Sequence, residues 1–155
     1  MRIAKALINL ATKGNKETTL LDACCGVGTI MLEACLSGNN IEGCDINEKV
    51  CNHARENLAH FNYTASVHHS DINDIGKKYN AAIIDLPYNI FSSTDDTKLL
   101  HIIASTASIA NRIVIISTSD ITGLISQAGL EISEYCSVNK RGKAKFNRKI
   151  WVCEK

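Results

Sequence analysis

The sequence predicts one α/β domain over residues 1–155, with a seven-stranded, mostly parallel sheet, helices on both faces and a C-terminal antiparallel hairpin. Short apolar runs rich in branched residues alternate with segments of helical period, which is typical of β-α-β units. Two further apolar stretches near the C-terminus are separated by a basic turn that contains glycine, as in a β-hairpin. A chain of 155 residues with 45% hydrophobic residues is long enough for one compact core.

Each element has its own pattern. The chain begins with a predicted helix whose apolar face is formed by Ile3, Ala6, Leu7 and Leu10. Five strands are then predicted at 19–23, 41–45, 65–69, 81–86 and 112–118. The segments between them place apolar residues three and four positions apart, as helices do. The hairpin is predicted from residues 130–138 and 146–153.

Composition and spacing exclude several kinds of protein. No apolar run approaches the length of a membrane span, and the N-terminus lacks the pattern of a secretory signal, so we expect a soluble, cytoplasmic protein. Seven cysteines, an odd number without a C-x-x-C pair, predict free thiols rather than disulfides or a zinc site. The five histidines show no ligand spacing, so no metal site is expected. The sequence does not indicate an oligomeric state.

Basic residues cluster near the C-terminus, although the net charge of the whole chain is only +1. Six of them lie within ten positions, at Lys140, Arg141, Lys143, Lys145, Arg148 and Lys149. A solvated hairpin turn and a patch that contacts phosphate groups both fit this cluster.

A glycine-containing turn follows the first predicted strand, in "LLDACCGVGTIMLEA" (20–34). Gly26 and Gly28 would let the backbone turn tightly and let a ligand approach its N–H groups, and the following helix N-terminus favours an anionic group. The dinucleotide fingerprint requires a third glycine or an alanine where this chain has Met31. The pattern therefore disfavours a pyrophosphate-binding domain.

Acidic residues stand where successive parallel strands are predicted to end. Asp45 lies 23 residues beyond Asp22, near the spacing of an acid that binds ribose hydroxyls. Because Asn47 is the better helix cap, we expect Asp45 to be free for a ligand. After the third strand, either Asp71 or Asp74 could accept a hydrogen bond from an adenine amino group, or both could be turn residues. This set of acceptors fits S-adenosylmethionine, which carries a sulfonium, an amino group, a ribose and an adenine.

The single proline follows the fourth strand, in "IIDLPYN" (83–89). Pro87 lacks an N–H and restricts Leu86 to an extended backbone, so the chain must leave the sheet there. The carboxylate of Asp85 and the carbonyl of Leu86 would then present two acceptors to a planar exocyclic amine. Tyr88 adds an aromatic ring on which a base can stack.

Together these segments resemble a known enzyme family. "DACCGVGTIMLEA", "GCDINEKV…ARENL" and "IIDLPYN" are similar to the D-P-x-C-G-x-G-T, G-x-D-I and D-P-P-Y-G motifs of RNA guanine-N2 methyltransferases related to the tRNA guanosine-10 enzymes. The resemblance extends over almost the whole chain. It implies a Rossmann-like class I methyltransferase fold that uses S-adenosylmethionine and releases S-adenosylhomocysteine.

The resemblance also implies roles for individual residues. The substrate motif would be Asp85, Leu86, Pro87 and Tyr88. The residues implied for the cofactor are Asp22, Cys24, Gly26, Gly28, Thr29, Asp45, Ile46, Asp71, Ile72 and Asp85. Two positions depart from the family pattern, because Leu86 replaces a proline and Asn89 replaces a glycine. We expect no THUMP or other RNA-binding domain within residues 1–155, so a partner or a further domain would supply the additional RNA contact.

The reaction implied is in-line methyl transfer to an exocyclic amine, with guanine N2 in tRNA as the first candidate, without a metal or a covalent intermediate. The base would be flipped out toward Tyr88 and Phe91. Alternatives are methylation of rRNA guanine, adenine N6 or a protein glutamine, and a non-catalytic module that binds the cofactor, RNA or a partner subunit. A nicotinamide oxidoreductase is a further alternative.

Overall fold

The computed structural model describes residues 2–86, 93–139 and 147–155. In chain order, its helices and strands are α1 (Arg2–Thr12), β1 (Thr19–Asp22), α2 (Thr29–Leu36), β2 (Asn40–Asp45), α3 (Glu48–His60), β3 (Val67–His69), β4 (Tyr79–Asp85), α4 (Ser93–Ile109), β5 (Ala110–Ser117), α5 (Thr122–Gln127), β6 (Glu131–Asn139) and β7 (Asn147–Glu154). A short 3-10 helix, Ile72–Asp74, lies between β3 and β4.

The seven strands form one sheet in the order β3-β2-β1-β4-β5-β7-β6. The first five strands are parallel, and β7 lies antiparallel between β5 and β6. This confirms the predicted mixed sheet with its terminal hairpin. The third strand begins at Val67, two residues later than predicted, although the carbonyl of Ser66 still accepts a hydrogen bond from the Gly43 N–H.

Helices cover both faces of the sheet. Side chains from α1, α2 and α3 form one core against one face, and side chains from α4 and α5 form a second core against the other. Strand β4 contributes to both cores, because Ala81 and Ile83 belong to the first and Ala82 and Ile84 to the second. Its residues read as one continuous apolar run because both of its faces are buried.

The predicted apolar face of α1 needs a correction. Ala4, Leu7, Ile8 and Ala11 are buried, whereas Ala6 is exposed. Of the other predicted positions, Leu7 is buried, and Ile3 and Leu10 pack, partly buried, against the same core. The buried face is therefore the predicted one without Ala6, widened toward Ala4, Ile8 and Ala11.

Arg112 ties α1 to the C-terminal hairpin. Its Nε donates a hydrogen bond of 2.8 Å to the carbonyl of Leu10, and its Nη1 pairs with Glu154 on β7. The side chain is only 11% exposed, so these contacts hold the end of α1 against β5 and β7. Within the described ranges, no helix is long and apolar enough to span a membrane.

Candidate active site

Two cavities lie at the carboxyl ends of the parallel strands and share Cys24 and Asp85 in their walls. The larger, of about 1230 Å³, extends from the end of β1 past the ends of β2 and β3 to α4. The smaller, of about 550 Å³, lies between the start of α1, the glycine turn and the end of β4. Ligands of open parallel α/β sheets bind at this edge. Asp85 therefore stands between two spaces that can each hold a ligand.

The glycine turn connects β1 to α2 and is shaped by its contacts with α3 and β2. Gly28, at the N-terminus of α2, has φ +83°, and a Cβ there would lie 3.2 Å from the Cβ of Ala54 on α3. The Gly26 N–H donates a 3.0 Å hydrogen bond to Oδ2 of Asp45. Thr29, the first residue of α2, lines the smaller cavity together with Gly26.

Asp22 is the last residue of β1 and is almost completely buried, at 1% exposure. Neither carboxylate oxygen has a hydrogen-bond partner within the part of the chain that the structure describes. Burial, and after it the nearby carboxylates of Asp85 and Asp45, raise the pKa of Asp22 to about 8. The Cys24 backbone N–H, which approaches the carboxylate without meeting hydrogen-bond geometry, offsets only part of this rise. A buried acid without a compensating partner is costly, so its position on the smaller cavity is the clearest sign of a ligand site.

Asp45, at the end of β2, is less available than the sequence indicated. Its Oδ2 accepts the hydrogen bond from Gly26, and its Oδ1 accepts one of 2.9 Å from the Asn47 N–H. Asp45 thus holds the glycine turn against β2, a role that the sequence did not indicate. Its availability to a ligand stays a prediction: each oxygen has a second acceptor position, and Asp45 lines the larger cavity. The predicted cap is confirmed, since the Asn47 side chain accepts from the N–H groups of Lys49 and Val50.

Asp71 follows β3, and of the two acids considered after that strand it is the one that lines the larger cavity. Its Oδ1 accepts hydrogen bonds from the Asn73 N–H, at 2.8 Å, and from Nε2 of His101, at 3.0 Å. These two hydrogen bonds, that of Asn73 first, lower the pKa of Asp71. Asp74 is the last residue of the 3-10 helix.

Apolar side chains complete the larger cavity. Ile72 is buried beneath it, whereas Ile46 is 72% exposed, which is unusual for a large apolar side chain that lies on a cavity wall. An exposed apolar side chain beside polar acceptors is typical of a surface that packs against a flat ligand. Both residues belong to the set that the family resemblance implies for the cofactor, and that role stays a prediction.

Leu86 extends the pairing of β4 one residue past the end of the strand, because its N–H donates to the carbonyl of Ile116 on β5, at 3.0 Å. It is buried, and together with Asp85 it lines the smaller cavity. The other two residues of the predicted substrate motif, Pro87 and Tyr88, lie outside the described residues, as do Asn89 and Phe91.

Several residues of the two cavities were missed by sequence reasoning. Helix α4 contributes Thr97, Lys98 and His101 to the larger cavity, and Arg2 and Arg148 line the smaller one. Arg148 was noted only as part of the basic cluster. The spacing of the other residues did not indicate them, because α4 meets the 3-10 helix after β3 only through the sheet topology. Arg2 and Arg148 come together from the two ends of the chain.

The thiols in this region are not reactive nucleophiles. Burial, and then the charge of Asp22, raises the pKa of the Cys24 thiol, so it stays protonated at neutral pH. The cysteines of the described ranges are all free, as predicted. No group of three or more potential metal ligands is found among the residues with described positions.

The sheet order, the antiparallel last strand between β5 and β6, and the crevice at the ends of β1 and β4 define a class of protein, the Rossmann-like class I methyltransferase fold. Solved structures that share this fold include the following two. Magnesium protoporphyrin IX methyltransferase (ChlM) of Synechocystis PCC 6803, solved with bound SAM, is 19% identical with a TM-score of 0.80 over 99% of this chain and 76% of that one. TrmN of Thermus thermophilus is 19% identical, with a TM-score of 0.79 over 99% of this chain and 48% of that one.

The chain belongs to the UPF0020 family of RMKL-like methyltransferase domains, whose family model matches residues 1–139. A curated relative, the tRNA (guanine(10)-N2)-dimethyltransferase of Methanothermobacter thermautotrophicus, is 37% identical over 101 residues. That alignment covers 63% of this chain and 30% of the relative, so the chain matches less than a third of the relative's length.

Proposed function

We propose that this chain transfers a methyl group from S-adenosylmethionine to an exocyclic amine of a base in RNA, with guanine N2 in tRNA as the preferred target. The observation that carries the proposal is the position of Asp85, which lines both cavities at the sheet edge. One cavity would hold the nucleoside part of the cofactor. The other would receive the amine.

The residues present fit the cofactor. Asp22 is a buried carboxylate without a described partner, flanked by Asp45 and Asp85, and this arrangement favours a ligand with positive charge. Asp45 would hold the ribose and Asp71 the adenine amino group, with Ile46 and Ile72 against the adenine ring. The glycine turn, from Cys24 through Gly26 and Gly28 to Thr29, would hold the methionine part.

When bound, S-adenosylmethionine supplies an electrophilic methyl group. The contribution of the protein is orientation, because a planar amine offers two N–H donors and Asp85 with the Leu86 carbonyl offers acceptors. Accepting both N–H groups fixes the nitrogen and concentrates electron density on it. Asp85 or water would then take the proton that the amine loses. Pro87 and Tyr88 would complete this turn and provide the ring for stacking.

The preference for guanine N2 in tRNA is supported by the curated relative, whose name gives that substrate. We propose a single catalytic domain over residues 1–155 that acts on RNA in the cytoplasm and receives additional RNA contact from a partner or a further domain. The basic cluster near the C-terminus supplies positive charge, which phosphate groups attract. One of its residues, Arg148, lines the smaller cavity.

The test is methyl transfer from labelled S-adenosylmethionine to tRNA, rRNA, DNA and protein in parallel. We expect the wild-type chain to label tRNA. Transfer by Asp85→Ala should be about a hundredfold slower or more, a loss typical of a reactant that is no longer oriented. Because Asp85 also belongs to the set implied for the cofactor, the two proteins are compared at S-adenosylmethionine concentrations that saturate each of them, as determined by calorimetry. Near-normal transfer by Asp85→Ala would contradict the assignment. Binding of the cofactor without transfer to any acceptor would instead favour a non-catalytic module.

A further inference from the structure

We infer that His101 is a positioning residue that makes the cofactor site selective for a base with an exocyclic amine. It holds Oδ1 of the Asp71 carboxylate, so that Oδ2 can accept a hydrogen bond from the amine of the base. This inference rests on the proposed function, because it concerns the same cavity. His101 belongs neither to the strands nor to the motifs through which the family resemblance was found.

The hydrogen bonds of the Asp71 carboxylate are divided unequally between its two oxygens. Oδ1 accepts both the Asn73 N–H and the Nε2–H of His101, at 2.8 and 3.0 Å. Oδ2 accepts no hydrogen bond from the part of the chain that the structure describes. Since a carboxylate oxygen has two acceptor positions, Oδ1 is saturated by protein donors and Oδ2 remains available.

The chemistry of the pair fixes which atom donates. An ionised carboxylate is only an acceptor, so Nε2 of His101 must carry the proton in the neutral as well as in the charged imidazole. The lowered pKa of Asp71, to which His101 contributes, keeps this carboxylate ionised at neutral pH. Asp71 therefore presents acceptors and no donor.

The two residues come from separate elements that meet at the cavity. Asp71 caps the 3-10 helix after β3, and His101 lies 30 positions later on α4, yet both line the larger cavity. The hydrogen bond from the Asn73 N–H is local and would form without α4. Alone, it would leave the carboxylate of Asp71 free to rotate. The second donor, from a different direction, removes that freedom. An acceptor held in this way favours an amine at position 6 of a purine and disfavours a carbonyl.

Calorimetric titration with two cofactor analogues tests the inference. S-adenosylhomocysteine carries the amine, and S-inosylhomocysteine carries a carbonyl in its place. We expect the wild type to prefer the adenosine analogue. His101→Ala should weaken binding of that analogue by roughly three- to tenfold, the range of one ordinary hydrogen bond, and should change binding of the inosine analogue by less than about twofold. His101→Gln, whose amide N–H can donate to Asp71, should restore most of the preference.

Two variants serve as controls. His53→Ala removes an exposed histidine from α3, away from both cavities, and should bind both analogues as wild type does. Asp71→Asn should lose the preference for the adenosine analogue, because an amide can present a donor to a carbonyl. Thermal unfolding of each variant confirms that the fold is retained.

Equal weakening of both analogues by His101→Ala would overturn the inference, because it would assign His101 a purely structural role in holding α4. Unchanged binding of the adenosine analogue would overturn it as well. Failure of the wild type to bind either analogue would contradict the proposed cofactor site itself. A preference for the adenosine analogue that does not depend on His101 would leave that site intact and reject only the role given to His101.

Discussion

At the scale of single residues, Asp22 shows how a folded environment changes an ordinary acid. Its pKa is about 3.8 in an unfolded chain and about 8 in the folded protein, because burial and two neighbouring carboxylates penalise the charged form. Between about pH 4 and pH 8, Asp22 therefore carries a proton in the folded state but not in the unfolded state. The contribution of Asp22 to stability is therefore lost progressively as the pH rises from about 4 to 8.

Replacing Asp22 with Asn should remove this pH dependence. We expect the free energy of unfolding of the ligand-free wild type, relative to that of Asp22→Asn, to fall steadily between pH 5 and pH 8. Acids whose pKa is lowered by folding, such as Glu42 at about 2, change their contribution to stability below pH 5. They are present in both proteins, so they do not affect the difference. Urea unfolding at several pH values measures the difference. A difference that is constant from pH 5 to pH 8 would contradict the buried, uncompensated state of Asp22.

The residues proposed for the cofactor differ in how much of their surroundings the sequence could predict. The positions of Asp22, Asp45 and Asp71 at one edge could be predicted, because strand ends are recognisable and parallel strands end at one edge. Their hydrogen bonds were not found, because the donors to Asp45 and Asp71 include Gly26 and His101, which are distant in sequence. Spacing identifies acids that could bind a ligand, but only the fold shows which of their oxygens are already used.

At the scale of elements, the packing of α2 on β2 explains why a third glycine is not needed in the turn. Met31 occupies the position where a dinucleotide fingerprint has glycine, and its side chain lies over Gly43 of β2. A Cβ at Gly43 would collide with Sδ of Met31 and lie 2.8 Å from the Cβ of Cys25. The strand, rather than the helix, supplies the space for close packing.

Gly43→Ala should therefore destabilise the protein. We expect a loss of about 1–3 kcal/mol in the free energy of unfolding, the usual range for overpacking of a core. Gly123→Ala is the matched control, because a Cβ there meets no atom within 4 Å and alanine is favoured in helix α5. Denaturant unfolding of both variants measures the effect. Equal stabilities of Gly43→Ala and the wild type would show that α2 does not pack on β2 in this way.

Elements with a strong local pattern were predicted well, and those defined by tertiary contacts were not. The buried run of β4 and the hairpin β6–β7 were recognised from residue type and from the turn between them. The buried face of α1 was predicted except at Ala6, which could have faced the sheet as well as Ala4 did. The role of α4 in the site could not be inferred, because the side chains it contributes come to the cavity only through the crossover of the chain.

At the scale of the whole molecule, the site exists only because of the strand order. Strand β1 lies between β2 and β4, so Asp22, Asp45 and Asp85 meet at one edge although 63 residues separate the first from the last. The sequence predicted the number and direction of the strands but not their order. The order follows from crossovers that run outward from β1 in two directions, with α2 and α3 on one face and α4 on the other, which a list of elements does not specify.

Nucleoside mass spectrometry of tRNA incubated with the purified chain and S-adenosylmethionine tests the central claim most directly. The account predicts that N2-methylguanosine accumulates with the wild-type chain and stays at background with Asp85→Ala. A methylated nucleoside whose new methyl group is on carbon or on the ribose would contradict the claim that Asp85 and Leu86 orient an exocyclic amine. So would an equal yield of N2-methylguanosine from the wild type and Asp85→Ala.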